Sequence, residues 1–284
     1  MREKYQGHGN HWDPFFDVNE ATATEMISRE LKAGALFGRW PCVDVVNGTD
    51  HQELVSAFRL GGERITNQHL AVSDSKAKKN VYFSGYPVLL NGIASRVEVE
   101  GIEPWPYGIE GWVHCAVAGG HLDITFFDTM FFAGSAGLAK GERVEVSFSA
   151  LAYSLAPIET RVIHVKEGPM WETERNERLS KGESLEEASR PVELDMTQAA
   201  MFLPRGDTYP DEAEFQGVIE KFDRFEHLGV GVYRLEIVVA RPDGEDWRLP
   251  VFATERVLKN GYEPRIGDAV MGIFWLQGRI LELP

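Results

Sequence analysis

Four side chains near the start of the chain, His8, His11, Asp13 and Asp17, bring imidazole nitrogens and carboxylate oxygens within ten residues of one another. These are donors that zinc and iron accept, so the group is a candidate metal site of a metal-dependent hydrolase. Such donors must be held rigidly, yet residues 1–18 mix His, Trp, Phe, Asp and Gly with neither helical nor strand periodicity. The preferred reading is an aromatic-rich arm that folds back onto the rest of the protein, and no cofactor is expected.

The other candidate chemistry is sparser. Gly134-Ser135-Ala136-Gly137 lacks the spacing of a nucleophile elbow and reads as a tight connection. No Walker motif and no GxGxxG is present, and Gly229-Val230-Gly231 is an isolated turn. His114 and His121 flank a hairpin turn and are expected at the surface. Glu172 with Glu174, and Glu186 with Glu187, sit on charged helical stretches and read as solvated faces. Cys42 and Cys115 are far apart, which fits two thiols in a reducing cytoplasm better than a disulfide framework.

Charge narrows the partners. The 284 residues carry a net charge of −15, spread along the chain and not confined to a tail. Polyanion binding draws most of its affinity from counterion release by Lys and Arg, so this balance counts against nucleic acid and anionic membranes. No run of 18 apolar residues occurs and residues 1–17 lack an apolar signal core, so the expected setting is the cytoplasm, with no membrane partner. Lys76, Lys78 and Lys79 form the one dense basic cluster, read as a loop tip, and Asn47-Gly48-Thr49 is read as a turn.

The elements follow from spacing. Asn19 can cap a helix over 20–33, with Ala23, Met26, Ile27 and Leu31 on one stripe and Gly34 or Gly38 as its stop. From Cys42 to Phe83 short apolar pieces alternate with turns and predict strands, although Glu53–Leu60 also fits one helical segment. Residues 161–208 form a charged helical spacer: Trp171–Leu179 is helix-like, Ser184 with Glu187 makes a capping box, and Asp195 caps a short turn. Trp171, Met201 and Phe202 favour a packed strut over a loose linker.

The remaining segments, 85–160 and 209–284, share a layout. Setting Gly92 against Gly217, position 35 further on is Phe127 in one and Phe252 in the other, each followed two residues later by Thr129 or Thr254. Gly141-Glu142-Arg143-Val144 then matches Gly267-Asp268-Ala269-Val270, and Trp112–Val117 falls on Leu235–Val239. A long first strand, a hairpin, a connection and a Gly-acidic-x-Val strand resemble the OB-fold, a five-stranded partly open barrel. The expected architecture is mainly β: an arm, helix and short strands in 1–84, then two OB-like barrels flanking the spacer. The match places Trp275 opposite Ala150, late in a barrel strand, as a structural plug.

The resemblance implies a ligand face on the second and third strands, aided by basic residues. In the first barrel Trp112, Phe126 and Phe127 are the aromatic candidates, but its basic residues are only Arg96, Lys140 and Arg143. In the second, the candidate binding residues are Arg224, Tyr233, Arg234, Trp247, Arg248, Phe252 and Arg256, although strand alternation sends about half of such aromatics inward. The function expected first is a non-enzymatic binding or scaffolding protein whose partner is another protein or a second copy. Single-stranded nucleic acid binding through the second barrel and the metal-dependent hydrolase are the alternatives.

Overall fold

Asn19 starts the first helix as its residue type predicts. In the computed structural model its side chain accepts from the Thr22 amide while the Thr22 hydroxyl accepts from the Asn19 amide. Helix α1 spans Glu20–Ala33 and stops at Gly34, whose amide bonds the Glu30 carbonyl. The structure describes residues 8–42, 53–74, 79–105, 108–117, 122–159, 162–206 and 208–281. No helix among them is long and apolar enough to cross a membrane.

After α1 come four strands, β1 (Ala35–Cys42), β2 (Glu53–Gly61), β3 (Ile65–Asp74) and β4 (Lys79–Leu89), paired antiparallel in that order. The ambiguous Glu53–Leu60 stretch is therefore a strand. Val55 and Ala57 alternate inward opposite Val72 and Leu70, and this two-residue period overrides the weaker helical one.

α1 lies on this sheet through a buried polar knot. Asn67 Nδ2 donates to both Glu30 carboxylate oxygens at 2.9 Å, and His69 Nε2 meets Glu30 Oε2 at 2.8 Å. His227 Nε2, from a later strand, lies 3.0 Å from Asn67 Oδ1. Burial lowers the His227 pKa from 6.5 to about 4, so the ring is neutral and donates to Asn67. The unfolded chain then binds the extra proton first, so stability is highest above pH 6.5 and falls as the pH drops towards 4. His227→Gln is expected to flatten that part of a plot of melting temperature against pH.

The larger sheet contains β5 (Ile93–Pro104), β6 (Gly111–Val117), β7 (Leu122–Asp128), β8 (Arg143–Pro157), β11 (Met201–Pro204), β12 (Glu212–His227), β13 (Val230–Ala240), β14 (Trp247–Thr254) and β15 (Ala269–Ile280). Its pairings trace two circuits. One runs β5, β6, β7, β15, β8 and back to β5. The other runs β12, β13, β14, β8, β15 and back to β12. Strands β8 and β15 belong to both, so each half of the chain supplies the fifth strand of the other's circuit. The pairings thus cross the boundary that the sequence suggests between 85–160 and 209–284.

Backbone bonds repeat with the same symmetry. The Gly141 amide bonds the Val99 carbonyl at 2.7 Å, and the Gly267 amide bonds the Ile219 carbonyl at 2.8 Å. Both glycines have φ of 89°, which L side chains rarely adopt. In the first strand of each half the pairing register shifts directly after these acceptors, at Val99 and at Ile219. Val99 therefore matches Ile219, and Gly217 falls opposite Val97, not Gly92. Both glycines still admit a neighbouring strand closely: a Cβ would lie 2.5 Å from the Phe148 carbonyl oxygen at Gly92, just before its strand, and 2.1 Å from the Val238 carbonyl oxygen at Gly217.

The match of Trp275 also moves by one residue. Phe127 lies beside Gln277 and Phe252 beside Leu151, so Trp275 matches Ser149 and not Ala150. One residue along a strand reverses the face. Phe274 and Leu276 point into a core that is continuous through both circuits, with Val146, Phe148, Leu235 and Val251. Trp275 joins a second core on the outer face, with Trp12, Phe15, Tyr86 and Phe127, beneath the N-terminal segment and the four-stranded sheet.

Between the halves, β9 (Val162–Val165) pairs with β10 (Val192–Asp195) and brackets α2 (Pro169–Ser180) and α3 (Leu185–Ala188). The Ser184 and Glu187 capping box forms, and Asp195 accepts from the Thr197 amide. Phe202 anchors the return into β11, its ring 5.5 Å from Trp247 and 5.9 Å from Phe274.

Candidate functional site

The N-terminal segment has no period because its contacts are tertiary. His8–Trp12 forms a single 3₁₀ turn, the Trp12 indole donates to the Gly85 carbonyl at 3.1 Å, and Thr254 Oγ1 donates to the Pro14 carbonyl at 2.5 Å. The segment is pinned at one end to β4 and at the other to β14, and it carries two histidines into the outer core.

His8 sits in an aromatic box, stacked on Trp105 at 5.2 Å with Tyr86 at 4.6 Å and Phe127 at 4.8 Å between ring centres. Its Nε2 lies 3.1 Å from Glu110 Oε1, which also accepts from Ser84 Oγ at 2.5 Å. His8 Nδ1 and Glu110 Oε2 find no partner among the described residues. His11 stacks on Trp275 at 3.6 Å and 12°, and its Nδ1 is 2.5 Å from the Tyr153 hydroxyl. Burial, reinforced by His8, lowers the His11 pKa well below the ordinary imidazole value, so its ring is neutral at physiological pH.

Tyr153 is where this network reaches a pocket of about 750 Å³, walled by Asn10, Asp13, Pro14, Arg205, Tyr209, Glu212, Arg256 and Val257. Arg205 donates to Glu212 Oε2 at 2.7 Å, and its guanidinium stands 5.8 Å from the centre of the Tyr209 ring. Arg256 pairs with Asp17. Behind Glu212, Asp211 accepts from the Trp275 indole at 2.7 Å. Burial raises both carboxyls above the ordinary range, against the pull of the Trp275 indole on Asp211 and of Arg205 on Glu212. Tyr153 is held well above its usual value, first by burial and then by the negative charges of Glu212, Asp211 and Asp13. Ionisable groups this deep cost folding energy, and such costs cluster at functional sites.

Of the four proposed metal donors His8 and His11 stay adjacent, their ring centres 5.1 Å apart, but each side chain bonds a different partner. His8 goes to Glu110, His11 to Tyr153, Asp13 to the pocket rim and Asp17 to Arg256. Among the described residues no group of three or more His, Cys, Asp or Glu is placed to hold a metal ion.

The second-half arginines are matched by neighbours. Arg224 pairs with Glu255, Arg248 with Glu220 and Asp246, and Arg234 donates to the Asn91 carbonyl at 2.9 Å. Trp247 and Phe252 are buried and Tyr233 is 8% exposed, so these rings pack in the cores and leave no stacking face. In the first half Phe126 and Phe127 are buried too.

Ser135 donates to the buried Asp128 carboxyl, whose pKa burial pushes up to about 6, so this serine serves a structural bond. Cys115 is buried, and desolvation pushes its thiol well up. His114 bonds Thr125 Oγ1 at 2.8 Å. His121, Lys76, Lys78, Asn47-Gly48-Thr49 and the Cys42 side chain lie outside the described residues.

Glu110, Tyr153, Arg205, Tyr209, Asp211 and Glu212 carry no sequence motif. The one local signal is that four of them fall within the eight residues 205–212, directly before a strand, where an unpaired loop would look the same. No protein-family model matches the chain, and comparison with the curated proteins gives no match.

Proposed function

We propose that the chain is a non-enzymatic binding protein, built as two OB-like five-stranded barrels joined by exchanged strands, and that it recognises another protein at the pocket around Tyr153. The observation that carries this reading is a polar pocket of about 750 Å³ whose strong groups are already bonded to one another: Arg205 to Glu212, Arg256 to Asp17 and His11 to Tyr153. Such a wall offers shape and fixed charge to a docking side chain. The net charge of −15 and the paired arginines of the second half weigh against nucleic acid.

Capture from a native extract of the source cells tests it. Wild-type protein is expected to retain a partner in stoichiometric amount, and Tyr209→Ala, a change at a 40% exposed ring on the pocket wall, is expected to release it. Equal capture by both proteins would move the interface elsewhere. Tight oligonucleotide binding with no stoichiometric protein would replace the reading with the nucleic-acid one.

A further inference from the structure

We infer that the His8–Trp12 turn is an acid-released latch: proton uptake by His11 lifts the turn from the outer core, withdraws Asn10 from the pocket wall and uncovers Tyr153. The turn is built around two imidazoles with little room for charge. His11 is 7% exposed and lies flat on Trp275 at 3.6 Å, with the centre of the His8 ring 5.1 Å away. Its side-chain hydrogen bond goes to the Tyr153 hydroxyl. Tyr153 keeps its proton, so the hydroxyl donates and His11 Nδ1 accepts. A second proton on the ring would arrive at Nδ1 and set two donors against each other until the hydroxyl turned away.

No surrounding carboxylate bonds the cation that would result. On the segment itself stand His8 and Asp13, the latter on the pocket wall. Glu110, directly before β6, bonds His8 and Ser84, and Tyr86 of β4 also faces His8. At the start of β12 Asp211 accepts from Trp275 and Glu212 from Arg205, while Arg256 pairs with Asp17. Burial and His8 accordingly hold the His11 imidazole below 6.5 while the turn is docked. A lifted turn returns the ring to water and to its ordinary value, so opening takes up a proton. The docked turn is therefore most secure above pH 6.5 and loosens as the pH falls. The Trp12 indole on the Gly85 carbonyl helps to keep it closed at neutral pH. Beyond the turn, Thr254 on the Pro14 carbonyl and Arg256 on Asp17 contain no imidazole, so the far end stays tied while the turn lifts.

Hydrogen exchange of the full chain, read on the peptide 8–16 at a series of pH values and corrected for intrinsic rates, tests the inference. In the wild type the opening constant of that peptide is expected to rise about tenfold per pH unit below 6.5, the slope for one proton taken up on opening, while β8 and β15 stay protected. His227→Gln, which removes another imidazole that burial holds low, should leave the slope unchanged. His11→Gln, whose amide oxygen can still accept from Tyr153, should flatten it. The same slope in wild type and His11→Gln would overturn the latch. So would exchange of 8–16 only in step with β8 and β15, which is global unfolding. Where His11→Gln loosens the turn already at neutral pH, NMR titration of the His11 ring in the wild-type chain decides. A ring that titrates at or above 6.5 overturns the proposal, and one that titrates below it, with exchange of 8–16 rising in step, supports it.

Discussion

Trp275→Ala is expected to destabilise the protein by roughly 3–5 kcal/mol, the range for deleting a buried tryptophan. The side chain is fully buried, stacks on His11 at 3.6 Å, lies 5.3 Å from Phe127 and gives Asp211 its 2.7 Å hydrogen bond. Alanine would leave a large cavity beneath the N-terminal segment and remove the indole donor from a buried carboxyl, and the two penalties add. Trp275→Phe keeps most of the volume but drops the donor, so its loss should be intermediate. Chemical denaturation reads both, and a loss below about 1 kcal/mol in the alanine variant, the scale of an ordinary surface change, would show that this contact does not hold the segment.

Cutting the chain between Lys181 and Gly182, in the exposed turn after α2, is expected to give two fragments that co-purify when expressed together and fail to fold apart. The first fragment contains β5 to β8 but lacks β15, and the second contains β11 to β15 but lacks β8. Each alone would open its circuit and expose the inward faces of the long shared strands, including Phe148 and Leu155 or Phe274 and Leu276. Co-expression with a tag on one fragment, followed by circular dichroism of each separately, reads the outcome. A cooperative melt from either fragment alone would mean that its half closes without the exchange.

Local signals in the sequence were readable where the chain satisfies its own backbone. The Asn19 cap, the 20–33 helix and the Ser184 capping box each need only residues within four positions. The β-rich layout was also legible, because strand alternation is a short pattern, and the two Gly-acidic-x-Val landmarks mark glycines with the same φ of 89°. The strand exchange was not. It rests on the parallel pairs of β14 with β8 and β7 with β15, which join residues about 100 or more positions apart and leave no local mark. The pocket around Tyr153 was not legible for the same reason, apart from Arg256 on its wall. His8, His11 and Trp275 were each noticeable, but their meaning comes from Glu110, Tyr153 and Asp211 on other segments. The arginines of the second half looked like a groove, since the sequence shows a cation without showing the carboxylate across from it.

The contact between His11 and Trp275 also bears on synthesis at the ribosome. His11 is made well before its stacking partner Trp275, and the Pro14 carbonyl waits for Thr254 on the later strand β14. The early strands meet the same delay, because β7 and β8 find their cross-half neighbours only after β14 and β15 have emerged. Until β14 and β15 emerge, the nascent chain therefore carries an aromatic segment and two unpaired strand edges. Such surfaces are those that aggregate or recruit chaperones, so the burden of producing this fold falls on the interval before β15 is released.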